Sequence, residues 1–524
     1  MNHFLNQRRL VLGAMLTMSA MTTPVMAQNN PGNIVCNADP NWLANPSLPT
    51  DVKSEDNCSF QQFMWQSMLY LVQPVSNGSS GSKVLQFESF MPSYGIFVGP
   101  DRNPTPWGQI PVPDFCAVPG ANPLSKSTAK NAGVMLKEGK GKRAVLLPAN
   151  TVFSNLTLQA GVGQPLIDKS LNRVFYNVSV NKPAYDFITG CDLHKAQCSL
   201  SLAPDLPDPA GVKIVDIPAL YPNLAFPQGA MELKTSWKIL TADEIASNTF
   251  YMTKGAVKSP NATACQFNQT LGLVGMHIVS KTPTHPEFIW ATFEHRNNAP
   301  TCAAPTAAPP LGGKWTFYDS ACGNKCTTNH YAEGKPTQVC TMHPWGDPTA
   351  GTMPNNLNCS STPPPGYICD PTTQKYVIQP NTANLIAIDK SVQAMLAALP
   401  AGNPNKLWAN YSLVGNVWTA KGTLPPSLTV QAGSLSGANN SMETYVQNGV
   451  SNIQNPYNCF SCHNLEGKSV NQTSGQAAHP VQLPPAGLSH IFNLLNTKTT
   501  GCSTGTLPAT AACSANGGPA LKSK

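Results

Sequence analysis

Charge is what this sequence has least of. Asp, Glu, Lys and Arg make up 11% of its 524 residues, against roughly 25% in an average soluble domain. Long solvent-facing helices, which rely on rows of Lys and Glu, are therefore not its main building material. No block of Lys or Arg interrupts the chain, so its formal charge of +7 leaves no footprint for nucleic acid. Beyond residue 27 no run of eighteen or more apolar residues occurs, and no helical membrane span is expected in the mature form. Internal repeats are absent. So are the GxSxG, HExxH, P-loop and dinucleotide glycine patterns, which removes the commonest hydrolase, zinc-protease and nucleotide-binding readings.

Proline, by contrast, is abundant at 49 residues, and cysteine reaches 16. Few charges with many prolines predict a turn-rich protein, and 41% hydrophobic residues suffice for a sizeable core. Arg8 and Arg9, the apolar stretch Leu10 to Met21 and the small-residue site Val25-Met26-Ala27 predict a cleavable signal peptide over 1–27, hence a periplasmic or secreted protein. Sixteen cysteines in an exported chain predict disulfides. Cys36/Cys58, Cys191/Cys198, Cys322/Cys326, Cys359/Cys369 and Cys502/Cys513 are near enough in sequence to close local loops. A zinc cluster among Cys322 to Cys369 is the alternative, but its spacings match no common finger.

The periodicity predicts a helix over 59–73, with Ser59 as its cap and Phe60, Phe63, Met64, Met68 and Leu71 on one face. A second helix is expected over 383–399, stopped by Pro400, and a short one over 441–449. Strand composition marks 143–147, 173–180, 231–240 and 407–418. The runs 271–281 and 288–295, joined by Thr-Pro-Thr-His-Pro-Glu, read as a hairpin. The expected class is α+β: a mainly β, sandwich-like, loop-rich body with a small helical C-terminal segment. The expected organisation is a signal peptide over 1–27, a disulfide-stapled body over 28–380, a haem-binding region over 381–500 and a tail over 501–524.

The last two expectations rest on Cys459-Phe-Ser-Cys462-His463. In a CxxCH sequence two thiols on one helical turn can add across the vinyl groups of a haem, and the adjacent imidazole becomes the proximal iron ligand. By chance the pattern would turn up in roughly one chain in a hundred of this length and composition. The cofactor expected is one covalent haem c, held by Cys459, Cys462 and His463. No Met follows His463, so a distal ligand from downstream must be His490 or His479. His490, in Gly487-Leu-Ser-His-Ile-Phe, opens a short apolar stretch and is the favoured choice, whereas His479 precedes Pro480 in a loop. Met442 or an open iron are the remaining readings. His277, His285 and His295, with Glu287 and Glu294 nearby, form a separate candidate metal or acid/base site, set against ordinary hydrogen-bonded hairpin histidines. His330 and His343, in the cysteine-rich stretch, are weaker candidates.

The segment Gly272 to His295 resembles a block found in a family of large exported bacterial cytochrome c proteins with one haem motif. So does Ala438-Asn-Asn-Ser-Met-Glu-Thr-Tyr-Val-Gln447, and the 59–73 helix and Met231-Glu-Leu-Lys-Thr-Ser-Trp237 fit the same pattern. The resemblance implies haem binding and export and carries no substrate. The resulting expectation is a periplasmic monohaem cytochrome that exchanges electrons with a redox partner protein. Two alternatives stand beside it: a haem-dependent oxidoreductase with a substrate site in the β-rich body, and a secreted binding protein with structural haem.

Overall fold

A computed structural model describes the chain over 36–494, apart from 78–81, 100–101, 117–132, 138–143, 149, 162, 196–222, 347–366, 370–375, 379–380, 423, 425–430, 448–457 and 466–483. The expected signal peptide, the tail and His479 lie outside the described residues. The cysteine pairs 191/198, 359/369 and 502/513 each include a residue that does so too.

Nine strands form one sheet among the described residues: β1 Met91–Pro92, β2 Val152–Ser154, β3 Phe175–Val180, β4 Met231–Ile239, β5 Met252–Val257, β6 Gln266–Ser280, β7 Ile289–His295, β8 Tyr411–Thr419 and β9 Gln431–Gly433. Their order is β9-β8-β7-β6-β4-β3-β1, with β5 pairing the first half of β6 and β2 pairing β5. Only the β2–β5 pair is parallel. The class is thus α+β and mainly β, as the sequence predicts. It is built on one large sheet, because the other sheets among the described residues have two strands each.

Both faces of the sheet are covered, which explains why β6 and β7 read as nearly unbroken apolar runs instead of alternating ones. Leu233, Ile278, Ala291, Phe293 and Leu413 point to one face and meet helices α1, Asn57–Leu71, and α3, Asn381–Ala397. Val178, Val180, Val279, Trp290 and Val417 point to the other and meet helix α2, Lys182–Gly190, together with the C-terminal segment. Helix α1 starts two residues earlier than its apolar periodicity suggests. Its cap is Asp56, not Ser59: the Asp56 carboxylate accepts the Ser59 N–H at 2.9 Å. Trp65 ties the helical layer together, its Nε1–H donating to Asp389 Oδ1 at 2.8 Å while Asp389 also accepts the Leu413 N–H of β8.

Residues 381–433 supply α3, β8 and β9, so they complete the body, and all described residues belong to one compact unit beginning at Cys36. The short helix expected over 441–449 is a series of turns where it is described, through 447. Thr444 Oγ1 takes up the Asn440 carbonyl and the Tyr445 N–H goes to Ala160, so the helical ladder cannot propagate.

Disulfides join Cys36–Cys58 and Cys322–Cys326, as spacing suggests, and also Cys116–Cys265 and Cys302–Cys340, whose partners are 149 and 38 residues apart. Cys322, Cys326 and Cys340 are therefore taken up by disulfides and are not zinc ligands. Among the described residues no helix is long and apolar enough to cross a membrane.

Candidate functional site

Helix α4, Cys459–Cys462, is a single turn laid on the sheet face opposite α1 and α3. Asn458 fixes its start. The Asn458 side-chain oxygen accepts the Phe460 N–H at 2.8 Å, and its amide donates to Gln431 Oε1 on β9 at 2.8 Å and to the Leu435 carbonyl at 3.2 Å. The i, i+3 spacing then places Cys459 and Cys462 on one side of the turn. Among the described residues these two cysteines are outside any disulfide, and both are half-buried. Every other cysteine whose side chain is described is disulfide-bonded.

His463 follows at the end of the turn, its N–H donating to the Cys459 carbonyl at 2.7 Å. Its ring lies 2.7 Å from the Leu488 carbonyl through Nδ1. A carbonyl can only accept, so Nδ1 carries the hydrogen and Nε2 keeps its lone pair. This is the tautomer a metal-ligating imidazole uses. Burial, with His490 alongside, holds the His463 imidazole well below its ordinary range. Burial also depresses His490 to about 4, against the effect of its hydrogen bond to the Cys462 carbonyl. Both rings are thus neutral donors at neutral pH. The Cys459 thiol is pushed up by burial and by the nearby Glu443 carboxylate.

The surroundings are apolar. Trp290 of β7 is 4.4 Å from His463 between ring centroids and 6.2 Å from Phe460, and its Nε1–H is anchored on the Glu287 carbonyl at 3.0 Å. Leu465, Leu488, Ile491 and Phe492 complete the lining. His490 lies beside His463. The two rings are stacked, with centroids 3.7 Å apart and planes 24° from parallel. Rings stacked this closely leave no room for a macrocycle between them. His490 opens a 3-10 turn, His490–Leu494, that follows another at Pro485–Leu488.

The three hairpin histidines do not converge. His277 pairs with Thr292, and His295 pairs with Tyr411 of β8, so the two point to opposite faces of the sheet. His295 stacks on Phe250 and donates through Nε2 to the Thr249 carbonyl; burial lowers it to about 3. His285 lies 2.8 Å through Nδ1 from Glu287 Oε1, in the connection between the strands. His330 is exposed and His343 half-buried. No group of three or more His, Cys, Asp or Glu that could hold a metal ion is found among the described residues. Met442 is buried in a separate apolar cluster with Val174, Tyr176, Val274 and Phe317, where it serves packing.

Sequence reasoning missed the roles of Trp290 and Leu488. The first needs the strand register before its face is known, and the second acts through a backbone carbonyl that carries no side-chain signal. It also missed a polar group beside the motif. Glu443 Oε1 lies 3.2 Å from His277 Nε2, and Glu232 accepts the Ser489 hydroxyl one residue before His490. Burial raises Glu232 to about 7. In comparisons with known proteins the chain matches no protein-family model, no curated protein and no solved structure.

Proposed function

We propose that this chain is an exported monohaem c-type cytochrome that passes single electrons to and from a redox partner protein in the periplasm. The observation that carries the reading is the state of residues 459–463. Two thiols outside any disulfide share one helical turn, while every other cysteine whose side chain is described is disulfide-bonded, and the next residue is an imidazole whose Nδ1–H is already held by a carbonyl. The donor set suits a haem attached through two thioethers. Bound there, haem supplies a one-electron couple whose potential depends on its axial ligands and surroundings.

The residues have separate tasks. Cys459 and Cys462 fix the ring edge, and His463 offers Nε2 to the iron. The Leu488 carbonyl orients that imidazole and strengthens it as a donor. Trp290, Phe460 and Phe492 keep water from the site. With haem bound, His490 would be the second imidazole within reach of the iron, provided its ring parted from that of His463.

Purified protein from a host that matures c-type cytochromes tests the assignment. A reversible couple with fast exchange to a partner cytochrome is expected; turnover of a substrate or of peroxide, with slow exchange, would move the protein to the oxidoreductase class. The distal ligand has its own test. His490→Ala is expected to bind carbon monoxide with an immediate shift of the Soret band, while the parent binds it slowly or not at all. Equal response in both proteins would remove His490 from the iron.

A further inference from the structure

Strand β3 is paired along its outer edge only in part. β1 reaches Ser179 and Val180, and Leu156 bridges Tyr176. Between these contacts, at Asn177, the edge borders a cavity of about 590 Å³, lined from segments 93–98, 102–115, 153–156 and 176–177. That size is typical of a small-molecule site. No residue of the 459–463 motif lines it, so the cavity is separate from the proposed haem attachment.

The walls are aromatic. Tyr94 meets Phe115 edge-on with ring centroids 6.0 Å apart, and meets Phe153 edge-on at 6.1 Å. Both sides are anchored: Cys116, next to Phe115, is disulfide-bonded to Cys265 just ahead of β6, and the Ser154 hydroxyl donates to the Tyr176 carbonyl. A further flat ring can join such an edge-to-face cluster on the same terms. Polar groups are few. The side-chain amides of Asn103, Asn155 and Asn177 line the cavity and have no hydrogen-bond partner among the described residues. Each can donate twice and accept.

Charge points to a neutral occupant. The charged lining residues, Arg102 and Asp114, are spent on each other, with Arg102 Nη1 donating to Asp114 Oδ1 at 2.9 Å. Burial raises the Tyr94 phenol above its ordinary range, so no charge arises there either. An ion would give up its hydration here with nothing to replace it. A sugar large enough to fill the space would bring more hydroxyls than three amides can pair, and each one left unpaired is costly. An aromatic ring with a hydroxyl and a carbonyl group meets both conditions.

We propose that this cavity binds a neutral phenolic molecule, its ring against Tyr94 and Phe115 and its hydroxyl and carbonyl oxygens on the amides of Asn155 and Asn177. The proposal goes beyond the haem reading and does not depend on it.

Isothermal titration calorimetry of the purified full chain with methyl 4-hydroxybenzoate tests it, at about pH 6, where a phenol keeps its proton. Saturable binding at one site is expected, with a dissociation constant of about 1 mM or tighter. Asn177→Leu and Asn155→Ala are each expected to weaken it about fivefold, the effect of one lost hydrogen bond. Asn155 is exposed, so its truncation keeps the test decisive should Asn177→Leu fail to fold. The 4-hydroxybenzoate anion and maltose are expected to bind about tenfold more weakly than the ester, or not at all. Absence of saturable binding of the ester overturns the proposal. So does an affinity unchanged in either folded variant, or an anion or sugar bound as tightly as the ester.

Discussion

Replacing Cys459 and Cys462 together by serine is expected to abolish covalent haem attachment completely while leaving the body folded. The two thiols take no part in the packing between α1, α3 and the sheet, and the described disulfides lie elsewhere. Haem staining after denaturing electrophoresis should vanish in the double variant, and the far-ultraviolet circular dichroism should stay close to that of the parent. Each single variant keeps one possible thioether and should stain weakly. Undiminished staining in the double variant would mean that the turn at 459–463 is not the attachment point.

Trp65→Ala is expected to bring the largest loss of stability, about 3–5 kcal/mol for emptying the site of a fully buried aromatic. Trp65 has no exposed surface, meets Phe293 edge-on at 5.0 Å and donates to Asp389. The change both opens a cavity between α1 and the sheet and takes a donor from a buried carboxyl. Thermal unfolding in parallel with the parent measures it; a shift no larger than that of an exposed substitution would contradict this account of the core. Asp389 adds a pH dependence of definite sign. Burial raises its carboxyl to about 7, against the lowering effect of its hydrogen bonds to Trp65, Leu413 and Ser412. The folded chain therefore prefers the protonated form. The stability tied to that proton is fully present below the ordinary Asp range, near 4, and is lost as pH rises through about 7, each unit of the shift being worth about 1.4 kcal/mol. Asp389→Asn should accordingly gain in unfolding temperature relative to the parent at pH 8 and much less at pH 5. A gain equal at both pH values would remove Asp389 as its source.

What the sequence reveals about this fold follows from where local signals coincide with tertiary ones. The helix at 57–71 and the hairpin of β6 and β7 are legible because their apolar residues are dense and their connections are marked by Pro, Asp or Ser. The cap of α1 shifts to Asp56 because a carboxylate three residues before Ser59 is the stronger acceptor. Segment 381–433 looks like part of the motif region in sequence, yet β8 is drawn into the sheet by its pairing with β7, an interaction between residues more than a hundred positions apart. Cys116–Cys265, 149 residues apart, is hidden for the same reason. Within the site, CxxCH and His490 are visible as residue types. Their arrangement depends on the Leu488 carbonyl, on Trp290 brought in by strand register and on Glu443 delivered by turns that a helical reading of 441–449 would misplace.

The intact mass of the exported, purified protein tests the central claim most directly. The account predicts the mature polypeptide plus one porphyrin with its iron, retained after denaturation and carried, after proteolysis, by the peptide that contains Cys459 and Cys462. A mass equal to the polypeptide alone, or a peptide lighter by two hydrogens because those two sulfurs are joined to each other, would contradict it.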